Sequence, residues 1–173
     1  MENVTTSVSG LDDVDLELLE YIEDDFDVNL EELSNRLGLS KSAIHYRLNK
    51  LRDKGIIEGV SADLHPMAFG LNMMMISDIS VTHESGYADE IGSRLSDIDG
   101  VQQVYYTMGD VDFVVLSRAQ NRTQMNQLID QMVDIEGVNE TSSRFVMKEL
   151  KTDRKTLGNM SAEMREAIIE ADD

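Results

Sequence analysis

Apolar residues recur at helical spacing through the first fifty residues, and beyond residue 72 helical and strand-like patterns alternate. Val14, Leu18 and Ile22, widened by Leu19 and Phe26, predict an amphipathic helix over 12–25. Leu30, Leu33 and Leu37 mark a short second helix that Gly38 ends. Ser40 is placed to cap a third helix, in which Ile44, Leu48 and Leu51 face inward and Gly55 closes the end. Ile56-Ile57-Glu58-Gly59-Val60 suits a strand. Three short helices with a tight Gly38-Leu39-Ser40 junction before the last, followed by a strand, predict a winged helix-turn-helix.

The later pattern runs strand (Met73–His83), helix (Tyr87, Ile91, Leu95, Ile98), and two strands (Val101–Thr107, Val111–Ser117) joined at Met108-Gly109-Asp110. A second helix (Met125, Leu128, Ile129, Met132, Val133) and a last strand (Val138–Leu150) follow. This order is βαββαβ, so the fold class is α+β with a ferredoxin-like second domain. An internal repeat agrees. Asp97-Ile98-Asp99-Gly100-Val101 and Asp134-Ile135-Glu136-Gly137-Val138 lie 37 residues apart, each where a helix gives way to a strand. Val111, Phe113 and Val115 oppose Val114 and Leu116, and Met74 and Ile76 oppose Met75 and Ile79. Two helices cover one sheet face only, so a strand apolar on both sides predicts that a second copy covers the other. The domain layout expected is 1–60 for the winged helix-turn-helix, 61–72 as linker with the single proline, 73–151 for the ferredoxin-like oligomerisation domain, and 152–173 as an acidic tail. In that tail Met160, Met164, Ala167, Ile168 and Ala171 form a weak helical stripe.

Charge gives this layout a function. The chain has 15 Lys+Arg against 34 Asp+Glu, a net charge of −19. Residues 1–35 carry −12 and 56–173 another −12, yet 36–55 carry +5. The basic stretch coincides with the third helix. Its outward residues Lys41, Ser42, His45, Tyr46, Asn49, Lys50 and Arg52, with Ser40 at its start and Arg47 to one side, offer cations for phosphates and polar tips for base edges. Double-stranded DNA is the partner this predicts.

Other chemistry has little to stand on. There is no cysteine, which excludes disulfides and thiolate sites. His45, His65 and His83 have no metal-ligand spacing, and no nucleophile triad or phosphate-cradling glycine loop occurs, so neither a metal, a cofactor nor a catalytic residue is expected. The eleven methionines read as core and interface filling. Met1-Glu2-Asn3 does not begin a signal peptide, and Met73–Ile76 is far short of a membrane span, so a cytoplasmic protein is expected.

From Leu11 to about Lys151 the sequence resembles the Lrp/AsnC (feast/famine) transcription regulators. The motifs are Leu11-Asp12-Asp13-Val14-Asp15 with Leu18-Leu19, the stretch Leu39–Leu51 followed by Gly55-Ile56-Ile57, Pro66 and Gly70 in the linker, and Gly109-Asp110-Val111-Asp112-Phe113. The resemblance implies a sequence-specific DNA-binding regulator, a homodimer with assembly as far as an octamer, and an amino acid or related metabolite bound near Gly109, Asp110 and Asp112. Two alternatives compete: an architectural DNA-binding protein of low specificity, and a haem-pathway tetrapyrrole decarboxylase of similar layout, which the basic third helix disfavours. The acidity departs from family habit and predicts a halophilic archaeal source, where salt screens self-repulsion.

Overall fold

The computed structural model describes residues 10–25, 27–82 and 86–170. Phe26, His83 and Ala171, which the sequence patterns invoked, lie outside the described residues. The chain divides into two compact units: residues up to Ala62 together with those from Thr152 onward, and Asp63–Lys151.

The first unit is helical. Helix α1 (Asp13–Asp24) starts from a reciprocal cap, in which the Asp15 N–H donates to the Asp12 carboxylate at 2.7 Å and the Asp15 carboxylate accepts from the Asp12 N–H. Helix α2 (Leu30–Leu37) is capped by Asn29 and stops at Gly38, whose φ of 65° reverses the chain before Ser40 caps helix α3 (Lys41–Asp53). Leu18, Leu33, Ile44 and Leu51 close the core, as the helical spacing predicts. The strand expected at Ile56–Val60 does not form. The N–H groups of Ile56 and Ile57 are spent on the Leu51 carbonyl, at 2.9 and 3.3 Å, and Gly55 donates to Arg52, so the segment closes α3. No described residue of this unit lies in a strand that could pair with it.

The second unit is a four-stranded antiparallel sheet in the order β2-β3-β1-β4. Its strands are β1 (Met73–Val81), β2 (Val101–Tyr106), β3 (Phe113–Ala119) and β4 (Val138–Phe145), and its helices α4 (Tyr87–Ser96) and α5 (Arg122–Val133). Register pairs Ile79 with Phe113 on one side and Thr141 on the other, which puts all three on the helix-covered face. There Met75, Ile79, Phe113 and Val115 pack under Ile91, Leu95, Met125 and Met132. Met74, Ile76, Val114 and Leu116 point to the opposite face and are only half-buried. Strand β3 begins at Phe113 rather than Val111 and β4 ends at Phe145 rather than Leu150.

The internal repeat is a structural repeat. Gly100 and Gly137 take φ values of 97° and 93°; Val101 donates to Ile98 at 3.0 Å and Val138 to Ile135 at 3.1 Å. Each glycine carbonyl then accepts from a neighbouring strand, Gly100 from Arg118 and Gly137 from Thr82. The unit opens at Asp63 rather than at residue 73, because a 3-10 turn at Pro66–Phe69 is held by the Gln120 side chain donating to the Phe69 carbonyl at 2.9 Å.

Candidate nucleic-acid interface and effector region

Helix α3 separates its residues by spacing. Ile44, Leu48 and Leu51 are buried, while Lys41, Ser42, His45, Tyr46, Asn49 and Arg52 are exposed and Lys50 is half-buried. Tyr46, 71 % exposed, projects farthest into solvent among the aromatic residues of this unit with described surroundings. Lys41 pairs with Glu31 at 3.2 Å, and Arg52 donates to the Asn49 side chain at 3.2 Å. Both contacts are exposed, so their worth is small and a phosphate can replace the Glu31 carboxylate or the Asn49 amide oxygen at little cost. The Ser40 hydroxyl accepts from the Ala43 N–H at 3.2 Å, which assigns it to capping.

Arg47 departs from the outward set. Its guanidinium turns back to α1, with Nη1 2.7 Å from Asp12 Oδ2 and 2.6 Å from Asp15 Oδ1. Asp15 is 1 % exposed. Burial pushes the Asp12 carboxyl up, and the Arg47 guanidinium and the Asp15 N–H more than reverse it, leaving Asp12 below its ordinary value. The same bonds to Asp12 and Asp15 raise Arg47 further. Arg47 thus fastens α3 to α1 rather than facing outward with the other cations of the helix.

The β2–β3 turn, where the sequence leads us to expect an effector, is similarly divided. Gly109 and Asp110 are exposed in the β2–β3 turn, whereas Asp112 is buried. Its Oδ2 accepts from the Val81 N–H at 2.8 Å, its own N–H donates to the Ile79 carbonyl at 3.0 Å, and its carbonyl accepts from Thr107 at 2.8 Å. Asp112 therefore ties the turn to the end of β1, and Asp110 is the carboxylate that meets solvent. A cleft of about 370 Å³ opens elsewhere in this unit, between the ends of α4 and α5, lined by Arg94, Asp97, Asp99, Gln131 and Asp134. Both copies of the repeat contribute to it, a convergence that the linear sequence did not reveal.

Sequence reasoning also left the tail unplaced. It docks within the first unit, where Leu157 is buried beside the α1 leucines. Among the described residues no group of three His, Asp or Glu side chains is arranged to hold a metal ion, and no helix is long and apolar enough to cross a membrane.

A family model for winged helix-turn-helix DNA-binding domains matches residues 11–58, and one for the Lrp/AsnC ligand binding domain matches residues 76–156. The HTH-type transcriptional regulator FL11 of Pyrococcus furiosus is 36 % identical over 138 residues, spanning 80 % of this chain and 90 % of that protein. Among solved structures, a feast or famine regulatory protein of Mycobacterium tuberculosis complexed with L-methionine is 28 % identical, with a TM-score of 0.78 over 86 % of this chain and 99 % of that one. A transcriptional regulator of Neisseria meningitidis in complex with L-Met shares the fold at a TM-score of 0.79 and 23 % identity, over 84 % of this chain and 95 % of that one.

Proposed function

The chain belongs to the Lrp/AsnC family of transcription regulators, and from that premise we propose that it reads DNA through the exposed side of α3 as a homodimer under the control of an amino-acid-like effector. The observation that carries this reading is the coincidence of two patterns. The one strongly basic stretch of an acidic chain falls on the helix that follows the helix-turn-helix junction, and its polar residues point outward. Lys41, Lys50 and Arg52 are the phosphate-facing cations, and Ser42, His45, Tyr46 and Asn49 reach base edges in the major groove. Ser40 and Arg47 support them by capping and anchoring the helix. The dimer contact is the half-buried sheet face of Met74, Ile76, Val114 and Leu116, which the two helices leave open, and further assembly builds on that pair. The effector meets the β2–β3 turn. There Asp110 attracts an amine, Gly109 leaves room, and Asp112 holds the turn in shape. The L-methionine complexes of the related regulators support this class of ligand. The protein acts in the cytoplasm, and no catalytic role is assigned to it.

Binding-site selection tests the DNA reading. His45→Ala and Tyr46→Ala should each relax preference at a single base position by about 1–3 kcal/mol, with other positions unchanged. An identical selected motif in wild type and both variants would remove these residues from the readout.

The acidity supports a source with a salty cytoplasm, and we assign the protein to a halophilic archaeon. At 0.1 M salt the Debye length is about 10 Å, so the acids of α1 and α2 repel one another and an approaching phosphate; near 1 M it is about 3 Å and only direct contacts remain. The melting temperature should therefore rise from dilute buffer to molar KCl. A protein most stable in dilute buffer would show that the acidity has another cause.

A further inference from the structure

Residues 155–170 form a strap across α1. The Glu23 carboxylate accepts from three successive backbone N–H groups, those of Thr156, Leu157 and Gly158. Arg165 grips Glu20 with two nitrogens, at 3.0 and 2.8 Å, and donates to the Leu157 carbonyl at 2.8 Å. Lys155 pairs with Asp24 at 2.5 Å. Between these polar contacts Leu157 is 8 % exposed, and Met160, Ile168 and Ile169 pack beside it on the core of the first unit. Helix α6 (Ala162–Glu170) carries Arg165 and both isoleucines. The Lrp/AsnC ligand binding domain match ends at residue 156, so most of the strap lies beyond the family's common part.

The chain thus passes between the two units twice. The first passage, residues 58–65, has no regular structure. One such tether leaves a domain wide rotational freedom. The second passage, the eleven residues 146–156, also lacks regular elements and spans at most about 40 Å. It returns to the C-terminal half of α1, whereas the first leaves from the end of α3. Attachment at two separate elements restricts rotation that attachment at one allows.

We propose that the strap, through Arg165, Lys155 and the 156–158 backbone on Glu20, Asp24 and Glu23, narrows the orientations of the DNA-binding unit so that both recognition helices of a dimer engage one operator together. The inference rests on the homodimeric DNA-binding reading. A restricted second arm raises the effective concentration at the second half-site without adding any contact to either.

The chain has no cysteine, so single pairs can be introduced cleanly. Spin labels at Asp53→Cys and Glu140→Cys, both exposed positions in different units, report the orientation without DNA. Labelled chains are diluted into unlabelled ones. Arg165→Glu should broaden the distance distribution, and Glu20→Arg with Arg165→Glu should narrow it again. On unlabelled protein, affinity is measured for a palindromic duplex selected by the wild type from a random pool, and for its single half-site. Arg165→Glu should leave half-site affinity within about twofold and weaken the palindrome about tenfold, with recovery in the charge-swapped variant. Unchanged distance distributions would overturn the proposal. So would equal losses on half-site and palindrome, which would make the strap a mere prop for the fold. Failure of the wild type to select any sequence would overturn the DNA-binding reading instead, and the distance measurement would still judge whether the strap restricts orientation.

Discussion

Arg47→Ala is expected to destabilise the DNA-binding unit by about 3 kcal/mol, the lower end of the cost of breaking a buried ion pair. The loss arises at Asp15. Its carboxylate is 1 % exposed, and deleting the guanidinium 2.6 Å away leaves a buried charge with its main partner gone. The lower end applies because Arg47 itself is 24 % exposed and Asp12, its other partner, is reached by solvent. Asp15→Asn in the same background should recover much of the loss, since a neutral amide has no charge to desolvate. The pH dependence has a definite sign. Asp12 is depressed in the folded state, so its contribution is present above the ordinary aspartate range and fades as pH falls through and below it. Wild type should lose that increment on acidification, and Arg47→Ala should have little of it to lose. Urea titrations of both proteins at neutral and acid pH measure this. If Arg47→Ala unfolds like wild type and only weakens DNA binding evenly across sequences, Arg47 is a phosphate contact after all.

The inward course of Arg47 was readable in spacing, although charge obscured it. Ile44, Arg47, Leu48 and Leu51 occupy i, i+3, i+4 and i+7, one helical face, and only the cationic character of Arg47 argued for the outer side. Elements whose partners are near in sequence were the most readable. The caps at Ser40 and Gly38, the βαββαβ order and the repeated Asp-Ile-x-Gly-Val junctions are local signals, and the structure reproduces them. Elements that depend on remote partners were not. Strap contacts join residues more than 130 positions apart, and their chemistry is a set of acids on α1 that reads locally as a solvated face. The expected wing strand fails for a different reason. Three apolar residues fit a strand, but only the folded helix end shows that the N–H groups of Ile56 and Ile57 are already taken. Asp110 and Asp112 stand two positions apart, the spacing that shares one face of a strand, but the chain bends at 108–110 and again at 112, so that rule does not hold there. One carboxylate turns to the Val81 N–H and the other to solvent.

Two substitutions three residues apart on β3 should give opposite outcomes, because they fall on opposite faces of the sheet. Phe113 is 2 % exposed, its ring 5.1 Å from that of Tyr106 and set against the space that a Cβ at Gly92 of α4 would take. Glutamate there would place a carboxylate under α4 with no cation in place to meet it. A buried, unpaired charge costs several kcal/mol, and loss of the aromatic side chain adds about 3–5 kcal/mol. Against a domain stability of about 5–15 kcal/mol, Phe113→Glu should leave the C-terminal unit unfolded. Leu116 sits on the face that α4 and α5 do not cover, half-buried within a single chain, with Ile76 opposite on β1. Glutamate at that position stays hydrated in the monomer, so Leu116→Glu should fold with a circular dichroism spectrum like that of wild type. In a dimer that stacks two such faces, the same carboxylate would be buried against its symmetry mate, and the pair should not form. Light scattering should therefore report a dimer for wild type and a folded monomer for Leu116→Glu. A Leu116→Glu protein that keeps the dimer mass would move the subunit contact to another surface. A folded Phe113→Glu protein would mean that the space beneath α4 admits water.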